Sequence, residues 1–188
     1  MNIFDDIKES VEVFIKNLTT KYKSSNRWKE YRVGATLTHC PTCIARQNKI
    51  YESWNAPKLP EHEKCLCKLI WLKSLSVGHA TSLGINGADF YLKYYGKLPD
   101  YYITKQEAKQ LGWKSYKGNL DKVAPGKMIG GNIFKSKENF LPKAPGRIWY
   151  ECDIDYQGGY RNNNRLVYSN DGLIFKTDSH YLEFIAIE

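Results

Sequence analysis

The sequence predicts an α+β protein whose helices pack on an antiparallel β-sheet. Segments with helix start and stop signals lie before Gly112, and after Gly131 apolar and polar residues begin to alternate with the period of a β-strand. A group of helices followed by a group of strands is typical of the α+β class, in which the helices cover a sheet of antiparallel strands.

The first predicted element is an amphipathic helix over residues 1 to about 22. Its apolar side chains are Ile3, Phe4, Ile7, Val11, Phe14, Ile15 and Leu18. They recur at spacings of three and four residues with charged residues between them, which is the spacing of one helical face.

Four of the five cysteines lie in one short stretch of the first half. They form Cys40-x2-Cys43 and Cys65-x-Cys67, and His62 precedes the second pair by three residues. The sulfurs of a Cys-x2-Cys turn can both reach one tetrahedral Zn²⁺, whereas Cys-x-Cys is less typical of zinc sites, so His62 can replace one of its members. Four of these five residues are therefore predicted to hold a structural Zn²⁺. A disulfide framework and free thiols in a reducing compartment are the alternatives.

The rest of the first half shows no sustained period. Residues 23–60 break into basic, aromatic and proline-containing pieces, and residues 69–77 are apolar enough to pack on another element. Two glycines within residues 77–84 indicate a boundary. We therefore predict a small Cys-rich module, helical or irregular, over residues 1–80, and a second domain over residues 85–188.

The second domain is predicted to open with two helices. Asn86 can cap the first, which ends at Gly96. Thr104 and Glu107 have the Thr-x-x-Glu spacing of a capping box and open the second helix, which stops at Gly112.

Strands complete the second domain. Over residues 148–155 apolar and polar side chains alternate, which predicts a half-buried strand whose polar face carries Glu151. A Gly-containing turn at residues 157–159 follows. Further strands are predicted near residues 164–169, 172–177 and 181–187.

The charge favours a polyanionic partner. The formal net charge is +8, and no basic amphipathic helix stands out, so nucleic acid is favoured over a membrane surface. No apolar stretch has the length of a membrane span, and the start of the chain is acidic without a long apolar run. We therefore expect no membrane partner, no signal peptide, and production in the cytoplasm.

The second domain contains one carboxylate on a strand's polar face, one histidine and two arginines beside a polar turn. Attack by the 2′-hydroxyl requires a base, an acid for the departing 5′-oxygen, and cations for the charged phosphorane. The domain offers the carboxylate of Glu151, the imidazole of His180, and Arg161 and Arg165 beside a polar turn. From chemistry alone, a solvated salt-bridge face with a surface histidine is the favoured alternative, since such residues occur on most sheets.

Long runs in residues 85–188 nevertheless resemble the barnase-type, guanyl-preferring ribonuclease family. These runs include KLPDYYITKQEA, VAPGK, IGGNIF, GRIWYECDIDY and KT-x2-HY. The resemblance implies N-terminal helices packed on a five-stranded antiparallel sheet. It also implies cleavage of single-stranded RNA to a 2′,3′-cyclic phosphate without a cofactor.

Through the same resemblance, individual residues acquire roles. Glu151 aligns with the general base and His180 with the general acid. The phosphate-stabilising cations correspond to Lys105, Arg161 and Arg165.

The base-reading loop departs from the family pattern. It runs Phe134-Lys135-Ser136-Lys137-Glu138, where relatives usually carry Asn-Arg before the glutamate. Glu138 can accept hydrogen bonds from guanine, but Lys137 stacks less flatly than Arg, so a relaxed guanine preference is predicted.

Other departures lie around the cleft. Asn132 replaces an Asp, which should leave the cleft more positive, while Tyr181, a cleft-lining tyrosine, is kept. Gly172 stands where Trp is usual and Ser179 where Asp is usual, so local packing and the tuning of the acid are expected to differ.

Residues 25–70 resemble the C-terminal part of phage Mu F head-morphogenesis, or minor capsid, proteins. The shared features are the Cys-x2-Cys turn, a short Lys-Ile-Tyr strand and the His-x2-Cys-x-Cys segment. Together the two resemblances imply a ribonuclease toxin associated with a phage or prophage, carried on a virion or delivered into a target cell. The partners implied are RNA, a small acidic barstar-like inhibitor, and phage head or portal proteins.

Two hypotheses from other classes compete with the enzyme. One is a non-catalytic nucleic-acid-binding adaptor, and the other is a structural phage protein with an inactive ribonuclease-like domain. Cleavage of RNA in the presence of a chelator discriminates the enzyme from both.

Overall fold

The computed structural model describes residues 22–34, 40–135 and 139–188. Its strands are β1 (Lys23–Arg32), β2 (Ile50–Glu52), β3 (Lys68–Leu75), β4 (Tyr102–Ile103), β5 (Met128–Ile133), β6 (Trp149–Asp153), β7 (Arg165–Ser169), β8 (Ile174–Thr177) and β9 (Ile185–Ile187). Its α-helices are α1 (Pro41–Arg46), α2 (Ala88–Tyr95), α3 (Lys105–Gln110) and α4 (Leu120–Val123). The amphipathic helix predicted for the first residues, up to Lys21, lies outside the described ranges, as do Ser136, Lys137 and Glu138.

The described strands form one sheet in the order β2-β1-β3-β9-β8-β7-β6-β5-β4. Strands β5 to β9 are the five antiparallel strands predicted for the second domain, and each pairs with its successor in the chain. The short strand β4 extends this unit by pairing in parallel with β5. The predicted α+β class is confirmed, and the sheet is wider than the five strands expected.

The cysteine-containing half differs from the helical or irregular structure that the sequence predicted. Residues 23–32 and 68–75 form the long antiparallel pair β1–β3, and the helix α1 has only six residues. Trp28, Tyr31 and Ile50 of this half are buried. The period of two was hidden because the buried positions of β1 include the polar residues Ser25 and Glu30, which interrupt the apolar alternation.

Strand β3 joins the two halves of the chain. It pairs in parallel with β9, where Ser74 lies opposite Ala186 and Leu75 opposite Ile187. Two backbone hydrogen bonds continue the pairing, from Glu188 N to Leu75 O at 2.9 Å and from Val77 N to Glu188 O at 3.1 Å. The proposed division into residues 1–80 and 85–188 stays a prediction, and the described strands on both sides of it belong to one sheet.

The two helices predicted for the second domain are present with small changes at their starts. Helix α2 is preceded by Gly87 rather than capped by Asn86, which lies in a 3₁₀ turn. A Cβ at Gly87 would lie 2.2 Å from the Thr81 hydroxyl oxygen, so this close approach requires glycine. Thr104 and Glu107 form the predicted capping box before α3.

Two apolar clusters cover opposite faces of the sheet. Helix α2 contributes to the cluster that contains Cys152. The cluster on the other face combines Trp28 and Ile50 of the first half with Val167 and Phe175 of the second. The rings of Trp28 and Phe175 meet edge to face with centroids 5.2 Å apart. The first half therefore contributes to the core beneath the candidate site. None of the helices in the described ranges is both long and apolar enough to cross a membrane.

Candidate active site

Glu151 is the central residue of the predicted site and lies on β6. Its carboxylate is buried, and its Oε1 accepts a hydrogen bond from Lys105 Nζ at 2.6 Å. Its other oxygen, Oε2, accepts a hydrogen bond from the Tyr181 hydroxyl. Glu151 lies on the polar face predicted for this strand, and this face is covered here, because Lys105 and Tyr181 lie over the carboxylate from two sides.

Burial acts to raise the pKa of Glu151, but the hydrogen bonds from Lys105 and Tyr181 and the charge of Arg161 outweigh it and hold the pKa below its usual value. The residue is therefore a carboxylate at neutral pH, which is the form that a general base requires. Because the folded-state pKa is lowered, this ionisation contributes stability above the unfolded pKa of about 4.3, and the contribution is lost as the pH falls through the folded pKa.

Lys105 and Asn132 are placed by neighbouring elements. Lys105 is the first residue of α3, and its backbone N–H donates to Asn132 Oδ1 at 3.1 Å. Asn132 lies opposite Glu151 in the β5–β6 pairing. Its amide thus satisfies a free N–H at the helix start without adding charge. The cleft therefore has one carboxylate fewer than it would have with Asp at this position.

Asp153 is a site residue that the sequence reasoning did not single out. It is buried on β6, two residues after Glu151 and on the same face. Arg161 donates two hydrogen bonds of 2.6 Å to its carboxylate, from Nε and Nη2. Arg165 Nε lies 2.9 Å from its Oδ1, and Asn162 further accepts from Arg165 at 3.1 Å. The spacing of two from Glu151 was the signal that could have identified Asp153.

The shared carboxylate places both predicted arginines on one side of Glu151. Burial acts to lower the pKa of Arg161, but its hydrogen bonds and charge interaction with Asp153 outweigh this and raise the pKa. Among the described residues, none bonds Arg161 Nη1, so this group remains available for a phosphate oxygen. Asp153 thus fixes both arginines in place, and the Arg161 side chain is 21% exposed whereas that of Arg165 is 5% exposed.

His180 lies in the turn between β8 and β9 and is exposed. It and Tyr181 have positive φ angles of 53° and 75°, a conformation that L-residues with side chains adopt rarely. The turn is held by Thr177, whose Oγ1 accepts from Tyr181 N at 3.0 Å. The His180 ring centroid is 4.8 Å from that of Tyr181, whose hydroxyl reaches Glu151. The predicted acid and base are thus linked through one tyrosine.

The remaining predicted substrate contacts lie partly outside the described residues. Phe134 packs on Tyr181 with ring centroids 4.8 Å apart, so the described start of the base-reading loop borders the cleft. Ser179 Oγ accepts from Glu183 N at 2.9 Å, which closes the turn that carries the histidine. Gly172 has a φ of 88°, a conformation that favours glycine over the tryptophan usual there.

A second cluster of reactive side chains lies in the first half. Ligand atoms of Cys40, Cys43 and His62 lie within 4.8 Å of one another, as do those of Cys43, Cys65 and Cys67. A tetrahedral zinc site with Zn–S bonds of about 2.3 Å separates its sulfurs by about 3.8 Å, so either group can close around one ion with small shifts. All five cysteines of the chain are free thiols in the structure.

The donor atoms in this cluster suit a metal. His62 Nδ1 lies 2.8 Å from the Glu63 carbonyl, which can only accept, so Nδ1 carries the proton. The Nε2 lone pair is left facing Cys43 Sγ at 3.2 Å. The backbone amide of Cys43 lowers the pKa of Cys40, and that of Cys67 lowers the pKa of Cys65, which favours the thiolates of these two residues. At Cys43 the hydrogen bond from Tyr31 acts to lower the pKa, but burial and the neighbouring Cys67 and Cys40 outweigh it and raise the pKa to about 11.

Comparison with known proteins agrees with the geometry of the second half. A family model described as ribonuclease matches residues 88–188. A ribonuclease of Heyndrickxia coagulans is 55% identical over 102 residues, which are 54% of this chain and 94% of that protein. Ribonucleases of Bacillus intermedius and Bacillus pumilus show the same identity over the same length, but the match spans 63% of each. The resemblance to barnase-type ribonucleases is confirmed, and since the family model matches more than half of the chain, the chain belongs to the ribonuclease family.

Proposed function

We propose that the chain is an endoribonuclease that cleaves single-stranded RNA by transphosphorylation without a metal. Glu151 removes the proton of the 2′-hydroxyl, whose oxygen then bonds to phosphorus. The bond from phosphorus to the 5′-oxygen breaks, and that oxygen takes a proton from His180. The products are a 2′,3′-cyclic phosphate and a free 5′-hydroxyl. The observation that carries the proposal is the buried, ionised Glu151 between Lys105 and Tyr181.

The cations next to the carboxylate support the same reaction. The phosphorane gains negative charge on its non-bridging oxygens, and preorganised donors stabilise that charge more than they stabilise the substrate. Lys105, Arg161 and Arg165 are the donors, and Asp153 fixes the two arginines before substrate binds. No step requires a cofactor.

The test is incubation with an oligoribonucleotide that contains one guanine, in the presence of EDTA. We expect cleavage on the 3′ side of the guanine, with a 2′,3′-cyclic phosphate on the upstream fragment, detected by mass spectrometry. Cleavage at other bases as well would indicate the relaxed preference that Ser136 and Lys137 predict. Intact RNA would favour the non-catalytic adaptor or structural phage protein instead.

We also propose that the first half holds one structural Zn²⁺, with Cys40, Cys43 and His62 joined by Cys65 or Cys67. About one zinc ion per chain should copurify, because structural sites close on four ligands. The variant Cys43→Ser should copurify without zinc, since Cys43 belongs to both groups of candidate ligands. The measurement is metal content by mass spectrometry, with Cys152→Ala, outside the cluster, as the matched control. Zinc-free parental protein with an unchanged melting temperature on chelation would contradict the site.

Chelation should spare the chemistry but not the stability of the ribonuclease half. The proposed catalytic residues lie beyond residue 100, so cleavage at low temperature should persist. Trp28 and Ile50 share a core with Phe175, so loosening the first half should also lower the melting temperature of the cleavage activity.

A small acidic, barstar-like inhibitor is proposed as a partner. Lys105, Arg161 and Arg165 around one cleft support it, because an acidic surface can occupy the positions of RNA phosphates. Association should be fast and salt-sensitive, since opposite charges steer encounter; barnase and barstar are the standard illustration. Titration of barstar, or of an acidic protein encoded beside this chain, against RNA cleavage at low and high salt measures this. Inhibition that is insensitive to salt would count against a cleft-directed inhibitor.

We further propose that the protein is a toxin made in the cytoplasm and associated with a phage or prophage particle. The support is the resemblance of residues 25–70 to head-morphogenesis proteins. Proteomic analysis of purified particles tests the association with head or portal proteins. Absence of the chain from particles made by a strain that expresses it would contradict the proposal.

A further inference from the structure

A groove borders the β5–β6 loop outside the cleft itself. Two cavities of about 480 and 390 Å³ form it, one between this loop and the edge strand β2, and one that reaches Phe134 and Trp149. The residues common to both cavities are Asn139, Leu141, Lys143, Ala144 and Arg147. Because they share this wall, the two cavities are neighbours, and we call the two together the path.

Phe134 connects this path with the edge of the candidate active site. Phe134 lies at its inner end and packs on Tyr181, which donates to Glu151. At its outer end Ile50 N of β2 donates to Phe140 O at 2.7 Å, which holds the first half of the chain against the loop. An RNA strand that leaves the cleft past Phe134 therefore meets a wall formed by residues from both halves of the chain.

The path is lined by lysines. Lys49, Lys135 and Lys143 lie along it, Lys135 and Lys143 with exposed side chains and Lys49 half-buried. Within residues 22–34, 40–135 and 139–188, none of the three ammonium groups forms an ion pair. Unpaired ammonium groups on a groove wall suit the phosphates of a nucleic acid strand.

Among the residues that the structure describes, little negative charge opposes these lysines. Glu52 is the acidic residue among those that line the cavities, and its Oε1 is paired with Arg27 Nη2 at 2.8 Å. Arg147 is held by Asp171 at 2.7 Å and serves to fix the loop. Trp54, next to the lining residue Asn55, is 69% exposed and offers a face on which a base can stack.

We infer that this groove is a second RNA-binding subsite, which holds phosphates of nucleotides beyond the one read beside Phe134. The inference rests on the proposed ribonuclease function, because it takes the cleft around Glu151 as the point from which the strand emerges. It gives the first half a direct part in substrate binding, through Lys49. Short substrates that fill only the cleft do not reach this subsite.

The test compares the parent with the double variant Lys49→Gln/Lys143→Gln. The binding probe is a fluorescent 2′-O-methyl RNA of about 12 nucleotides, within the range that one such surface holds, which lacks the 2′-hydroxyl and is not cut. We expect affinity at low salt to fall by roughly three- to tenfold. The slope of log affinity against log salt should become shallower by about 1.4, since each phosphate contact on a single strand contributes roughly 0.7. Cleavage of a guanine-containing dinucleotide should keep its kcat/KM.

The matched control is Lys93→Gln/Lys114→Gln, which removes the same charge from exposed lysines that do not line the groove. Three results would each overturn the subsite. The Lys49/Lys143 variant could keep the parent's slope of log affinity against log salt, or the control variant could lose as much affinity for the probe. The third is an equal loss of kcat/KM for the dinucleotide in the Lys49/Lys143 variant. If the parent binds the probe more tightly than the Lys49→Gln/Lys143→Gln variant, as expected, but cuts no RNA, the ribonuclease proposal fails and the subsite stands.

Discussion

Replacing His180 with Ala should lower kcat/KM for RNA cleavage by roughly 10²–10⁴-fold, the usual contribution of a positioned acid or base. The imidazole is exposed, and no hydrogen bond ties it to another described residue, so its removal leaves the core intact. The melting temperature should therefore stay close to that of the parent. Cleavage of a guanine-containing oligonucleotide, followed by single-turnover kinetics, measures the effect.

Two further variants show whether the loss of cleavage in His180→Ala comes from the loss of this imidazole. His180→Asn is a second test, because Asn tolerates the positive φ of this turn better than most residues and separates loss of the acid from loss of the turn. His79→Ala removes another exposed histidine, in the turn after β3, and should keep parental turnover. Turnover by both His180 variants within threefold of the parent would show that another group protonates the 5′-oxygen.

Asp153→Asn should lower the free energy of unfolding by about 3–5 kcal/mol, because it leaves the buried charges of Arg161 and Arg165 without their shared carboxylate. The Asp153 side chain is 1% exposed and that of Arg165 is 5% exposed, so solvent screening does not reduce the effect much. Urea denaturation measures the loss. Cleavage should fall as well, since both arginines lose the group that positions them.

The control for this prediction is Asp100→Asn. Its carboxylate is 97% exposed and lies 3.9 Å from Lys97, so removing the charge should change the unfolding free energy by less than about 0.5 kcal/mol. A loss below about 1 kcal/mol for Asp153→Asn would mean that the arginines find other partners. Full activity in that variant would remove Asp153 from the site.

Local signals in the sequence predicted the second half well. The capping box at Thr104 and Glu107, the stop at Gly96 and the period of two around Glu151 depend on interactions within a few residues, and the structure has each of them. The long runs shared with ribonucleases also predicted that the chain is a ribonuclease and that Lys105 and Glu151 belong to its site. The structure brings these two residues into contact.

The sequence was least informative where side chains from distant segments decide the outcome. Asp153 looked like one more residue on a polar strand face, and only Arg161 and Arg165, folded back from the following turn, make it a buried anchor. The same holds for Glu151, which is covered by Tyr181 from 30 residues away.

By itself, then, the sequence predicted the α+β class and the two helices and four strands of the second half, and its resemblance to ribonucleases predicted a fifth strand and the residues that carry the proposed chemistry. The tertiary structure decided that β1 and β3 extend the same sheet and that Trp28 and Ile50 complete the core under the cleft. It also decided that Lys49 lines one cavity together with the β5–β6 loop. The physical reason is the distance along the chain between the residues that interact. Helix caps and strand alternation are set by neighbours along the chain, whereas pairing of β3 with β9 and burial of charge depend on which segments meet in space.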